Sequence, residues 1–128
     1  MRDISDAADL MTTAREALLR DLLPALTGER RYAALMIANG MAIAAREHRL
    51  GTDAARNEGA RLRNLLDELP PSQGERNDAP TDLPALRKAV CAAIRAGRFD
   101  ACDAAVAAAL SHSAADWVAI SNPKALRT

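Results

Sequence analysis

Residues 31–50 read Arg-Tyr-Ala-Ala-Leu-Met-Ile-Ala-Asn-Gly-Met-Ala-Ile-Ala-Ala-Arg-Glu-His-Arg-Leu, and between Ala33 and Ala45 only Asn39 and Gly40 interrupt the apolar run. A helix that is apolar on nearly every side has to be covered by other helices. The stretch therefore predicts an all-α protein with this segment, about residues 29–50, at its centre. It is too short to cross a bilayer, which takes about 20 apolar residues.

The rest of the chain agrees in class. Of 128 residues, 30 are Ala and 16 are Leu, while aromatics make up 2%. That usage favours helix over strand and leaves a core to be filled by aliphatic side chains. The length suits one domain, expected over 1–128, without metal or disulfide staples. Seventeen basic residues balance seventeen acidic ones, and no long basic run offers the clustered Lys and Arg that phosphates or anionic lipids require. The first residues lack an apolar segment behind a basic start, so no signal peptide is expected and the cytoplasm is the expected compartment.

Capping signals divide the chain. A first helix should start at Ser5 or Asp6, helped by Asp9, and bury Leu10, Ala14, Ala17, Leu18 and Leu22. Pro24 should kink or end it, with Thr27-Gly28 closing the connection. The second helix should run from Glu29 to Leu50 and stop at Gly51. A third, capped by Thr52 or Asp53, should bury Ala55, Leu62, Leu65, Leu66 and Leu69, with Glu58, Arg61, Arg63 and Asp67 on its wet face. Residues 70–81, without an apolar anchor larger than Ala, read as a mobile loop. A fourth helix should be capped by Thr81 or Asp82, carry Pro84 in its first turn, turn Leu86, Val90 and Ile94 inward and end at Gly97. A fifth should start at Asp100 with Phe99 as an apolar staple and leave the helix near Ser121-Asn122, ahead of Pro123. Five helices on mostly short turns predict an antiparallel up-and-down bundle.

The site candidates follow from what does not fit a plain bundle. Asn39 places an amide inside an apolar helix, which is costly unless its polar atoms are paired. Tyr32, Asn39 and Arg46, seven residues apart, share one stripe, with Glu47 beside Arg46. This polar seam reads either as the lining of a ligand pocket or partner interface, or as a satisfied network holding the second helix against the C-terminal segment. Asn122 and Lys124 sit at the final helical turn. Cys91, Cys102, His48 and His112 are possible zinc donors, but no Cys-x-x-Cys or His-x-x-x-His spacing is present and no metal or cofactor is expected. The two thiols read as small buried apolar residues. Ser111-His112-Ser113 is not a nucleophile beside its base, because adjacent helical residues point about 100° apart. No phosphate loop, dinucleotide fingerprint or buried carboxylate pair is present, and an enzyme is not expected.

Three groups of segments carry a family resemblance: Arg2-Asp3-Ile4 with Leu22-Leu23-Pro24-Ala25-Leu26; Leu35-Met36-Ile37-Ala38-Asn39 with Ala44-Ala45-Arg46-Glu47; and Ile94-Arg95-Ala96-Gly97-Arg98-Phe99-Asp100 with Ile120-Ser121-Asn122-Pro123-Lys124. The chain resembles a bacterial family of small all-helical domains of unknown function over most of its length. Ala125 stands where that family more often has an aromatic residue, and Ser5 where Pro is common. The resemblance implies a gene beside, or fused to, aminoglycoside-phosphotransferase-like kinases and near acyl-CoA dehydrogenases, and it assigns no catalytic residues. A non-catalytic accessory module binding such a protein, or a second copy of itself, is the expected role. The alternative is a binder of an acyl or phosphorylated metabolite in the bundle core, oriented by Asn39, Arg46 and Asn122.

Overall fold

A computed structural model describes residues 6–70 and 82–127; Ser5 and the segment 71–81 lie outside the described residues. Among those described there are four α-helices and no strand: α1 (Ala7–Ala17), α2 (Gly28–Asp67), α3 (Leu83–Arg95) and α4 (Asp103–Ser121). The chain is all-helical, as its composition requires, but the expected second and third helices are one. Gly51 does not carry a positive φ, and Thr52 and Asp53 continue the helix rather than start a new one. A glycine inside a helix costs only about 0.5–1 kcal/mol, which a helix of 40 residues with two packed segments absorbs.

Some of the other boundary signals act as read, whereas Asp82 precedes α3 without a side-chain cap bond. Asp6 caps α1 by accepting from the Asp9 amide at 2.9 Å. Pro24, which has no amide to donate, does not end the helix at once. The turn first widens to a π-helix over Leu18–Leu22, closed by the Leu23 amide on the Leu18 carbonyl, and then tightens to a 3-10 turn at Leu23–Ala25. Gly28 at φ +59° reverses the chain into α2, and Gly97 at φ +73° ends the turn after α3. Pro84 lies in the first turn of α3 behind Asp82. Asp100 opens a 3-10 turn over Asp100–Cys102, so α4 begins at Asp103 instead.

Contacts cluster in two compact units, residues 53–117 and residues 1–52 with 118–128, whose boundaries fall inside α2 and α4. The unit spanning 53–117 holds a cluster of Leu62, Leu65, Leu86, Val90, Ala93, Phe99, Val106 and Ala109, with Leu66, Leu69, Leu83 and Cys102 packed against it. Ala93 takes the inward place expected of Ile94, which is exposed. In this unit α2 and α4 run in opposite directions, since Glu58 meets Trp117 while Arg61, further along α2, meets Ser113.

The other unit is built differently. Its described buried side chains are Ala8, Ala34, Ala38, Ala45 and Ile120, so only one is larger than Ala. Arg15 Nε donates to the Ala38 carbonyl at 3.2 Å and Arg49 lies 3.4 Å from Asp9, which sets α1 against the first half of α2 in opposite directions. Leu10 and Leu22, expected inside, are 60% and 58% exposed. The apolar run near the start of α2 is not wrapped either: Tyr32 is 67%, Leu35 43%, Met36 53% and Ile37 54% exposed. Helical apolarity on all sides thus reports a requirement for cover that α1 meets on the alanine side alone.

Candidate functional site

Among the described residues there are two groupings of chemistry-bearing side chains, one in each unit. In the alanine-packed unit, α2 carries the sequence seam Tyr32, Asn39 and Arg46, but the three do not act together. Tyr32 and Asn39 are exposed. Tyr32, Met36 and Asn39 lie on the side of α2 opposite the Ala34–Ala38–Ala45 stripe, with Leu35 and Ile37 on the flanks. The expectation of a buried Asn39 amide is therefore corrected: its polar atoms face water and need no protein partner. Gly40 faces open space, for a Cβ placed there would meet nothing within 4 Å.

Arg46 is half-buried and donates from Nε to the Ile120 carbonyl at 2.7 Å. Ile120 is in the last turn of α4, where carbonyls have no partner within the helix. A guanidinium there satisfies an orphan acceptor and faces the negative end of the helix dipole. Glu47 and Asn122 are exposed. The Asn122 backbone leaves α4, its amide donating to Val118 at 2.7 Å and its carbonyl accepting from Ala125 at 3.0 Å.

The second grouping is in residues 53–117. Glu58 is only 8% exposed, against its assignment to a wet face. Arg87 grips it with two bonds, Nε to Oε1 at 3.0 Å and Nη2 to Oε2 at 2.6 Å. The Trp117 indole Nε1 donates to Oε2 at 3.0 Å, and the Arg87 guanidinium carbon lies 5.9 Å from the Trp117 ring centre. One turn on, Arg61 reaches Asp116 Oδ2 at 2.8 Å and Ser113 Oγ at 3.2 Å. The Arg87 bond holds the Glu58 carboxyl below its ordinary value; burial opposes this, and the Trp117 bond with the charges of Arg87 and Arg61 adds to it. The same bond raises Arg87.

Chemically this is a fixed ion cluster. A general acid or base works best with a pKa near neutrality, and Glu58 is driven the other way with both oxygens occupied. The signal for it was in the sequence. Ala54, Glu58, Leu62 and Leu65 follow helical spacing, so Glu58 stands on the buried stripe, and the lone Trp needs a partner for its N–H.

The remaining candidates are each described by their own surroundings. His48 and His112 are exposed, Cys91 is exposed and Cys102 half-buried, both as free thiols. Cys91 thus departs from the buried role expected of it. Among the described residues no group of three or more His, Cys, Asp or Glu side chains is placed to hold a metal ion, and no helix is long and apolar enough to cross a membrane.

Residues 24–125 match the family described as a domain of unknown function, DUF6285. The chain belongs to this family. The match takes in α2, α3, α4 and the ion cluster, together with the exposed apolar part of α2. No curated protein and no solved structure matches the chain.

Proposed function

We propose that this DUF6285 domain is a non-catalytic interaction module whose contact surface is the apolar part of α2 around Tyr32, Leu35, Met36 and Ile37. The carrying observation is the exposure of these four side chains along a helix that buries only alanines beside them. Exposed apolar patches of this kind mark protein contact sites on soluble chains. Tyr and Met are also side chains enriched in interface cores. A phosphotransferase-like kinase or an acyl-CoA dehydrogenase is the partner class that the family resemblance implies. The metabolite-binding alternative loses support from the same geometry, because Asn39 and Asn122 face solvent and Arg46 is engaged with Ile120.

The test is titration of the purified chain against a purified kinase-like protein and a purified acyl-CoA dehydrogenase from the same organism, read by calorimetry. Association in the micromolar range, weakened roughly tenfold or more by Met36→Glu, is the expected result. No association with either protein at micromolar concentrations refutes the partner class.

A further inference from the structure

Asn39 and Gly40 are adjacent, and both are exposed on α2. The pairing matters chemically, because the backbone nitrogen of the following residue can attack an asparagine side-chain amide at Cγ. Attack closes a succinimide ring and releases ammonia, and water then opens the ring to aspartate or to its β-linked isomer. The nitrogen is least hindered in glycine, which has no Cβ. Of the five asparagines, Asn39 alone precedes glycine; Asn57, Asn64 and Asn77 precede Glu, Leu and Asp, and Asn122 precedes Pro123, whose nitrogen has no hydrogen to lose. Nothing crowds Gly40 in the folded chain either, for a Cβ built there would meet nothing within 4 Å.

What holds the reaction back is α2 itself. A helical ψ of about −42° keeps the Gly40 nitrogen away from the Asn39 Cγ, and the Gly40 N–H is spent on the carbonyl four residues earlier. Arg15 adds a clamp from α1, its Nε donating at 3.2 Å to the carbonyl of Ala38, the residue joined to Asn39. Little else is fastened there. Around Asn39 the buried side chains of α2 are Ala34, Ala38 and Ala45, whereas Asn57 and Asn64 stand among Ala54, Glu58, Leu62 and Leu65. Segments with few buried apolar contacts open most readily.

We infer that Asn39-Gly40 is a site of spontaneous deamidation, kept closed by α2 and the Arg15 clamp and exposed when the hairpin of α1 and the first half of α2 opens locally. Conversion replaces a neutral amide with a carboxylate beside Leu35 and Met36, one turn earlier. In the β-linked product it also adds a methylene to the main chain, which the helical hydrogen-bond ladder cannot take up. The modified fraction therefore records how long this segment has spent open. Nothing in the chemistry requires a bound partner.

The experiment incubates the full chain in mildly alkaline buffer, native and in urea. Peptide mass spectrometry with chromatographic separation of the two products reads Asn39, Asn57 and Asn64. In urea Asn39 should convert faster than the other two. In the native chain Asn39 should still be the one that converts, roughly ten- to a hundredfold more slowly, since its rate is that of the open chain times the fraction open. Arg15→Ala should speed native conversion roughly three- to tenfold. Glu58→Gln, in the other unit, should leave it unchanged, as should low urea, because local opening exposes little surface. Circular dichroism checks helix content, and if Arg15→Ala loses helix the urea dependence decides alone. Native conversion that climbs steeply with urea and responds to Glu58→Gln overturns the inference, since Asn39 then reacts only on global unfolding. An unchanged Asn39 after about ten times the span that converts the unfolded chain overturns it too, as does equal native conversion at Asn57 or Asn64.

Discussion

At the scale of single residues, the seam separates into one structural contact and several exposed side chains. Arg46→Ala leaves the Ile120 carbonyl without its donor, and since that bond is charge-assisted and half-buried, the expected loss is about 1–2 kcal/mol in urea unfolding. Asn39→Leu should change stability by no more than about 0.5 kcal/mol, as exposed substitutions do; a buried, bonded amide would instead have cost about 1–3 kcal/mol. Glu58 has the larger role. Its replacement by Gln removes an ionised acceptor of Arg87 and Trp117 and should cost about 1–2 kcal/mol at neutral pH, the half-exposed Arg87 keeping the figure at the lower end. Because the folded carboxyl titrates below its ordinary value of 4.5, its contribution is complete above that value and is lost as pH falls through the lowered one. The gap between wild type and Glu58→Gln should stay constant from about pH 6 to 8 and shrink below about pH 4.5 when denaturant midpoints are measured across pH.

At the scale of elements, the two glycines that look alike as stop signals predict opposite mutants. Gly51 lies within α2 without a positive φ, and a Cβ there would meet only the Cγ of the exposed Glu47 side chain at 3.3 Å. Gly51→Ala should therefore raise stability by about 0.5–1 kcal/mol. Gly97 has φ +73° and a Cβ there would come within 3.0 Å of Asp100, so Gly97→Ala should lower it by about 1–2 kcal/mol; thermal unfolding of both variants reads the two signs. The pair also marks what the sequence could tell. Asp6 acts through its own carboxylate and Pro24, Gly28, Pro84 and Gly97 through their own backbone chemistry, and such signals are legible one residue at a time. Whether Gly51 stops a helix depends on what packs on either side of it, which is not local. The same holds for the site. The Glu58 network was legible in principle from its place between Ala54 and Leu62, whereas the exposure of Asn39 was not. An apolar helix announces that it must be covered without saying whether its own chain or another supplies the cover.

At the scale of the whole molecule, the two units are held together unequally. One carries a buried set of large aliphatic side chains and a satisfied ion cluster, so its amides should open only when the whole unit does. The other fully buries only alanines and Ile120 among its described residues, with Leu18, Leu19, Met41 and Ile43 half-buried, and leaves Tyr32, Leu35, Met36 and Ile37 exposed. Opening free energies within one protein run from near zero in weakly covered segments to the global value in a packed core. Native-state hydrogen exchange should therefore find the amides of residues 34–45 less protected than those of residues 58–65, by roughly tenfold or more, although both segments lie on one helix. Glu58→Gln should lower protection in 58–65 and leave that of 34–45 unchanged. Arg15→Ala, which frees the Ala38 carbonyl, should do the reverse. Equal protection along α2, falling together in both variants, would mean that α2 opens as one body and that alanine packing holds it as firmly as the aliphatic core does.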